Sequence, residues 1–536
     1  MKKVLLFFVS VSFLMIGCHK DLDKLPPNTQ TSEDVYRSED GYKQVLAKVY
    51  GSMALTGNAG PAGAGDVVGI DEGNSDFLRL FWNAQELTSD QAIVAWDGPL
   101  DVGLQDLQQH KWRSSNPLTK GLYYRSIYII TLCNEFIRQS TSAKLSERGI
   151  SADAASRIAV MQSEARFVRA FQYWVLMDIF GNPAFITDDQ GIGAFRPKQI
   201  KRGELYDYIE KELLELASKL PEPRANEYGR ADRAAVWSLL ARIYLNADIV
   251  YNKGNQYNKA VEYASKVINS NRYSIENTNY RWLFLADNST NGSQNEFIWT
   301  LNYDGVRTQN FGGTTYLVNS SVGGNMDVQF SGGQDWAGNR ARKPLVQLFE
   351  PNVAGNVDTR ANFFINSQSK SDNDVVTEFK DGYGVLKYRN RTRADGFGSD
   401  PDRRFSDIDF PVFRLAEMYF IYAEGVARGA TNGTKGEAKD YINKIRFRAY
   451  GNTSGNILEV DINTDFLLDE KGREFYWEAH RRTDLIRNNK YLGASYVWPW
   501  KAGVKSGAAL NPNQNLMPLP DAEIASNPNI IQNTGY

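Results

Sequence analysis

Trp237-x2-Leu240-Ala241-x2-Tyr244, a turn around Gly254, and then Tyr257-x2-Ala260-x3-Ala264-x3-Ile268 form the stretch from which the fold is read. Steps of three and four place the large residues of each half on one helical face, so two helices packed as a hairpin are predicted. Ala241 offers only a methyl group where the two must approach closely. The same period recurs over Leu122 to Arg138, Ser163 to Ile179, Glu204 to Leu220, Val412 to Ala427, Gly436 to Ala449 and Leu467 to Asn489. One such pair cannot bury its apolar face alone, whereas stacked neighbours share a continuous core.

The 237–268 spacing resembles a tetratricopeptide helix pair, the alternative being an unrelated helical hairpin. The expected fold class is mainly α, a tetratricopeptide-like superhelical scaffold carrying large irregular loops and short-strand insertions. Those insertions are residues 54 to 116 and 270 to 410, rich in Gly, Asn, Asp, Ser and aromatic residues, with strand-like runs such as Phe297 to Leu301. Loops of this length in a compact body are usually functional.

Composition narrows the chemistry. Across 536 residues, 61 basic and 63 acidic side chains leave a net charge of -2, so no global positive field recruits nucleic acid. Three histidines (His19, His110, His480) and two cysteines (Cys18, Cys133) supply few ligands for transition metals and few parts for nucleophilic triads. The chain is rich in flat rings instead: 28 Tyr, 27 Phe and 11 Trp, suited to packing or to stacking on a ligand.

Lys2 and Lys3 precede an apolar run from Val4 to Gly17, too short to span a bilayer as a helix. The run ends in Leu14-Met15-Ile16-Gly17-Cys18, which resembles a bacterial lipobox with Met15 where Leu is usual. Residues 1–17 are therefore expected to be a lipoprotein signal peptide, Cys18 the lipidated residue, 18–31 a tether, and 32–536 a single body. Within that body the N-terminal part covers about 32–230 and the C-terminal part about 231–536. Two or more acyl chains suffice for stable anchoring. Cys133, in an apolar helical stretch, is read as a buried inert thiol.

Several segments together resemble the SusD/RagB family of surface glycan-binding lipoproteins. They include Asp21-Leu22-Asp23 with Pro26-Pro27, Glu164 to Ala170 leading to Phe180-Gly181-Asn182-Pro183, and Gly229-Arg230-Ala231-Asp232. Pro411 to Glu417, Glu474-Phe475 with Arg481 to Leu485, Pro518-Leu519-Pro520 and Asn533 to Tyr536 follow in order. The likeness implies a cell-surface protein at the outer membrane and a partner, a SusC-like TonB-dependent transporter. For Arg166, Arg169, Arg414, Glu417, Glu474 and Arg482 a structural role is expected, as ion pairs between stacked helices.

The starch-binding branch of the family is the nearest likeness, carried by Asp71-Glu72-Gly73, Phe77-Leu78-Arg79, Val94-Ala95-Trp96, Asn310 to Gly313, Thr315 to Val318 and Trp336. The resemblance makes Asp71, Arg79, Trp96, Phe311 and Trp336 ligand-binding candidates, and Asp97, Asn310 and Tyr316 join them from the same patches. A pyranose has an apolar C–H face that fits an aromatic ring and a hydroxyl rim that needs carboxylate, guanidinium or amide partners. Val94, Pro99 and Phe311 depart from the starch pattern, which leaves another glucan or another glycan open. Trp82, Trp112, Trp282 and Trp299 have apolar neighbours and are read as core.

The implied function is capture of an oligo- or polysaccharide, an α-glucan such as starch or dextran, for delivery to the transporter without catalysis. Capture of peptides or other nutrients by the same family is the alternative, and a glycoside hydrolase a further one, since 63 acidic residues cannot exclude a catalytic pair. No cofactor is expected. The oxygen-rich run Asp287-Asn288-Ser289 to Asn295-Glu296 admits a calcium ion but lacks EF-hand spacing, and a solvated loop is the plainer reading.

Overall fold

The computed structural model describes residues 32–99, 101–191, 195–275, 279–366 and 373–536. The proposed signal peptide, the lipidation residue Cys18 and the tether lie outside them. The elements that matter below are α1 (Glu39–Gly51), α2 (Phe77–Trp82), α3 (Pro117–Gln139), α4 (Ala152–Ile179), α5 (Arg202–Leu216), α6 (Arg233–Asn246) and α7 (Tyr257–Asn269). They continue with α8 (Gly313–Asn319), α9 (Leu415–Ala427), α10 (Lys435–Tyr450), α11 (Thr464–Phe475) and α12 (Arg481–Arg487). The strands are β1 (Ala92–Val94), β2 (Phe297–Leu301), β3 (Asn339–Ala341) and β4 (Phe410–Arg414).

The expected hairpin is α6 and α7, which pack along their lengths, and α7 in turn packs on α9 and α9 on α10. Asp232, from the Gly-Arg-Ala-Asp run, caps α6 by accepting from the Ala234 and Ala235 amides at 2.8 and 3.2 Å. Gly425 makes the α9–α7 approach possible, because a Cβ there would lie 2.7 Å from Val261. On the N-terminal side α3 packs on α4, α4 on α5, and α1 across both α3 and α4. The scaffold is mainly helical and tetratricopeptide-like, as its periodicity predicts. Among the described residues no helix is long and apolar enough to cross a membrane.

Three boundaries differ from the sequence reading. α4 begins at Ala152 rather than Ser163; its first turns are largely exposed and bear Arg157, paired with Asp153 and Glu39, so apolar period alone did not reveal them. Phe410–Arg414 is a strand paired antiparallel with β2, and the helix starts only at Leu415. Leu467 to Asn489 is two helices, α11 and α12, separated where Trp477 and Ala479 adopt left-handed backbone at φ 65° and 62°.

That break surrounds a buried ionic centre. Arg414 reaches Glu296 at 2.8 Å, Glu474 at 2.6 Å and Glu478 at 2.7 Å, Arg448 pairs with Glu296 and Glu474, and Lys387 meets Glu478 at 2.7 Å. Burial alone would raise the Glu474 carboxyl, but the Arg448, Arg414 and Arg360 guanidinium groups outweigh it and hold it well below the usual carboxylate range. Arg242–Glu417, Arg166–Glu212 and Arg169–Glu212 are the expected helix-to-helix pairs. Arg482 is a correction: among the described residues it has no carboxylate partner, donating instead to the Asn515 carbonyl at 2.6 Å beneath the Tyr491 ring. Cys133 is buried and free, its thiol pushed up to about 12 by burial.

Glu86, in the turn after α2, is fully buried and accepts from the His480 amide at 3.2 Å. Burial pushes its carboxyl up to about 8, against the lowering pull of the His480 and Ala479 amides, Lys387 and Arg481. The folded state thus keeps a proton that the unfolded chain sheds near pH 4.5, so stability declines as pH rises from there to about 8. Asp409, raised to about 7, adds to the decline. Thermal melts are expected to fall between pH 6.5 and 8 in the native chain and to fall less in Glu86→Gln; superimposable pH profiles would refute this role for Glu86.

A candidate aromatic binding arc

The two-stranded ribbon of β1 and β3 sets the site. Val94 pairs with Asn339 and the Ala95 amide donates to the Gly338 carbonyl at 2.8 Å, so Trp96 leaves one strand as Trp336 approaches the other. The Trp96 indole lies over Gly338, where any Cβ would meet the ring at 2.5 Å. Its Nε1–H donates to the Trp336 carbonyl at 2.8 Å, and the two ring systems stand 6.4 Å apart with planes tilted by 48°. Both rings are partly exposed.

Phe311 extends the row. Its ring lies 6.1 Å from Trp336 at 54° and 5.3 Å from Phe405. Two glycines hold it there: a Cβ at Gly312 would collide with Asp76 at 2.1 Å, and Gly313, at φ 54°, faces the Tyr303 ring. Asp76 caps α2 through the Arg79 amide at 2.8 Å and also accepts from the Gly313 amide at 2.8 Å, clamping α2 to the start of α8. Burial raises this carboxyl to about 6, opposed by those two amides.

The remaining candidates divide by depth. Arg79 is buried behind the row, its guanidinium 4.3 Å from the Tyr316 ring and 5.7 Å from Trp96, donating to the Phe311 carbonyl at 3.3 Å. Tyr316 is buried, its hydroxyl donating to Asn83 at 3.0 Å. Asn310 spends both ends of its amide internally, donating to the Ala54 carbonyl at 2.7 Å and accepting from the Gly312 amide at 2.5 Å. Asn310 and Tyr316 therefore form the backing of the row and do not reach its surface, a correction to the expectation of direct contact. Asp71 and Asp97 are exposed.

Asp101 and Arg404 were not singled out by sequence. Half-burial raises the Asp101 carboxyl, Arg79 pulls it down, and Asp71 and Asp97 push it up again, so the three acids and Arg79 share one neighbourhood. Arg404 is exposed with its guanidinium 5.5 Å from the Phe311 ring and 5.4 Å from Phe405. No local signal ties it to Phe311, 93 residues earlier. A cavity of about 360 Å³ opens beside Asp71, walled by Ile70, Pro99, Val102 and Leu118. Among the described residues no group of three or more His, Cys, Asp and Glu is placed to hold a metal ion. In the run considered for calcium, Asp287 accepts from the Arg393 amide and Glu296 faces Arg414 and Arg448.

A tetratricopeptide-like scaffold whose insertions display a row of partly exposed rings over buried polar backing defines a class of protein, and sequence comparison places this chain within it. Residues 325–536 match the profile described as the SusD family, and residues 22–245 that described as "Starch-binding associating with outer membrane". The starch-binding protein SusD of Bacteroides thetaiotaomicron is 34% identical over 97% of this chain and 96% of its own length. The chain belongs to the SusD family. A SusD-like protein of Bacteroides ovatus is 24% identical over 92% of this chain and 83% of its own. Among solved structures, surface glycan-binding protein A of B. thetaiotaomicron in complex with laminarihexaose superposes with a TM-score of 0.69 at 20% identity, covering 92% of this chain and 99% of that one. Its Bacteroides fluxus counterpart gives 0.70 at 20%, over 93% and 100%, and both likenesses concern the fold.

Proposed function

We propose that this chain captures an oligo- or polysaccharide at the outer membrane and passes it uncut to a SusC-like TonB-dependent transporter. The observation that carries this reading is the row Trp96, Trp336, Phe311, three partly exposed rings within 6.4 Å of their neighbours on one edge of a rigid ribbon. Apolar C–H faces of successive sugars stack on such rings, and Asp71, Asp97 and Arg404 supply hydroxyl partners at the rim. Arg79, Tyr316 and Asn310 hold the rings in place from behind.

Successive planes tilt by 48° and 54°, so the row curves. A curved row suits a coiling chain, and an α-glucan coils where a β-1,4-glucan is flat; the starch-binding relative agrees with that choice. Each stacked sugar contributes only about 1 kcal/mol beyond area burial, so affinity accumulates over several sugars and release stays fast. That suits delivery rather than storage.

The test is affinity electrophoresis in gels containing starch, dextran, laminarin or xylan. Retardation is expected in starch, with no shorter products after incubation; retardation by no glycan would sink the reading, and retardation by laminarin alone would redirect it to a β-glucan. Anchoring through lipid on Cys18 belongs to the same proposal. Cys18→Ser is expected to move the protein from the membrane fraction to the soluble one, and unchanged membrane partition would count against the anchor.

A further inference from the structure

Arg389-Asn390-Arg391-Thr392-Arg393 forms an extended segment lying along residues 284–287, with the Arg389 amide donating to the Phe284 carbonyl at 3.0 Å and the Ala286 amide to the Arg391 carbonyl at 2.9 Å. Side chains of an extended chain alternate, so the three arginines share one side while Asn390 turns inward. Buried Asn390 donates to the Phe405 carbonyl at 3.1 Å and accepts from the Asp407 amide at 3.0 Å, which fixes the register.

Each arginine covers a ring. Arg389 lies 3.6 Å from the centre of Phe330, Arg391 4.0 Å from Phe397 and Arg393 3.3 Å from Trp282. Arg403 approaches Phe397 from a neighbouring loop at 4.6 Å. Phe330 and Phe397 remain 39% and 41% exposed, unusually open for phenylalanine. Among the described residues only Arg391 of these four pairs with a carboxylate, Asp395 at 2.9 Å. The others leave guanidinium N–H groups facing water.

This ladder adjoins the arc. Arg403 and Arg404 are consecutive, one over Phe397 and the other over Phe311. Asn319 ties the two loops, accepting from the Trp336 amide at 3.2 Å and donating to the Arg404 carbonyl at 3.0 Å. Rings and unpaired donors thus run without a break from Trp96 to Phe397.

We infer that the ladder is a second platform for the same polysaccharide, engaged by chains long enough to cover the arc and run on across Arg404 and Phe397. It rests on the glycan-binding reading above. Stacking on Phe330 and Phe397 with hydroxyls taken by Arg389 and Arg403 repeats the chemistry of the arc. Once the arc holds one stretch of chain, the second contact is intramolecular and gains from a high effective concentration. The platform therefore sets a preference for polymer over short oligosaccharide.

The test compares maltoheptaose with a long amylose fraction by isothermal calorimetry, expressed per chain and corrected for the number of starting positions. Wild type is expected to bind amylose about tenfold more tightly, and Phe330→Ala/Phe397→Ala to lose that advantage while binding maltoheptaose as before. Arg403→Gln, which leaves both rings in place, is expected to lose part of it and guards against misfolding of the first variant. Undiminished amylose affinity in both variants overturns the inference and leaves the arc untouched. A wild type that binds neither glucan marks failure of the starch reading, and the inference falls with it.

Discussion

Replacing Trp96 and Trp336 together by alanine is expected to remove measurable glycan binding. Truncating a tryptophan at the centre of a contact costs about 2 kcal/mol, so two remove about 4 kcal/mol, on the order of a thousandfold in affinity. From micromolar or weaker binding, that lies beyond detection by calorimetry. The indoles also bear on the fold: the Trp96 Nε1–H bond to the Trp336 carbonyl is lost and Gly338 loses its cover. A drop of a few degrees in melting temperature is expected, so circular dichroism must accompany the titration. Trp336→Ala alone keeps the accepting carbonyl and is expected to weaken binding about thirtyfold with less effect on melting. A folded double variant that binds as wild type does would end the case for the arc.

The second large effect concerns stability. Arg414→Met leaves Glu296, Glu474 and Glu478 facing one another in the interior with only Arg448, Arg360 and Lys387 to compensate. Breaking a buried pair by removing one partner costs about 3 to 5 kcal/mol, because the charge left behind stays desolvated. Severe loss of soluble protein or a clearly lower melting temperature is expected. Arg157→Ala, which removes exposed pairs with Glu39 and Asp153, is the contrast and should cost about 1 kcal/mol or less.

The same centre fixes the response to acid. Glu474 is held below its ordinary value, and Glu470 and Glu424 are each lowered to about 2, by arginines that outweigh burial. Carboxyls depressed in the folded state contribute stability above pH 4.5 that disappears as pH falls through their folded values. Without Arg414 the carboxyls titrate nearer to or above the ordinary range, so acid unfolding is expected at higher pH in Arg414→Met. An acid midpoint identical to wild type would show that Arg414 is not the residue that keeps Glu474 ionised.

Helices were legible because their period is local. Trp237 to Ile268 folds as the hairpin its spacing foretold, and Gly436 to Ala449 matches α10 within a residue at each end. Val412 to Arg414 was misread because its strand partner, β2, lies more than a hundred residues away. An apolar run of that length fits a helix or a strand equally well until its neighbour is known. The break at Trp477 and Ala479 was invisible for a similar reason: the two left-handed residues are held around Glu478, whose partners Arg414 and Lys387 come from other segments.

Spacing along the chain was enough to establish a stack of helices with long ring-rich insertions and to mark Trp96 as a ring in polar company, since both depend on neighbours a few residues apart. Which rings share a surface was settled only by three-dimensional packing. Trp96 and Trp336 meet because β1 pairs with β3, while Asn310 and Tyr316 are drawn beneath them by hydrogen bonds to Ala54 and Asn83. Contacts between residues some 230 to 260 positions apart depend on how the whole core closes, and a residue's own flanking sequence carries no record of that.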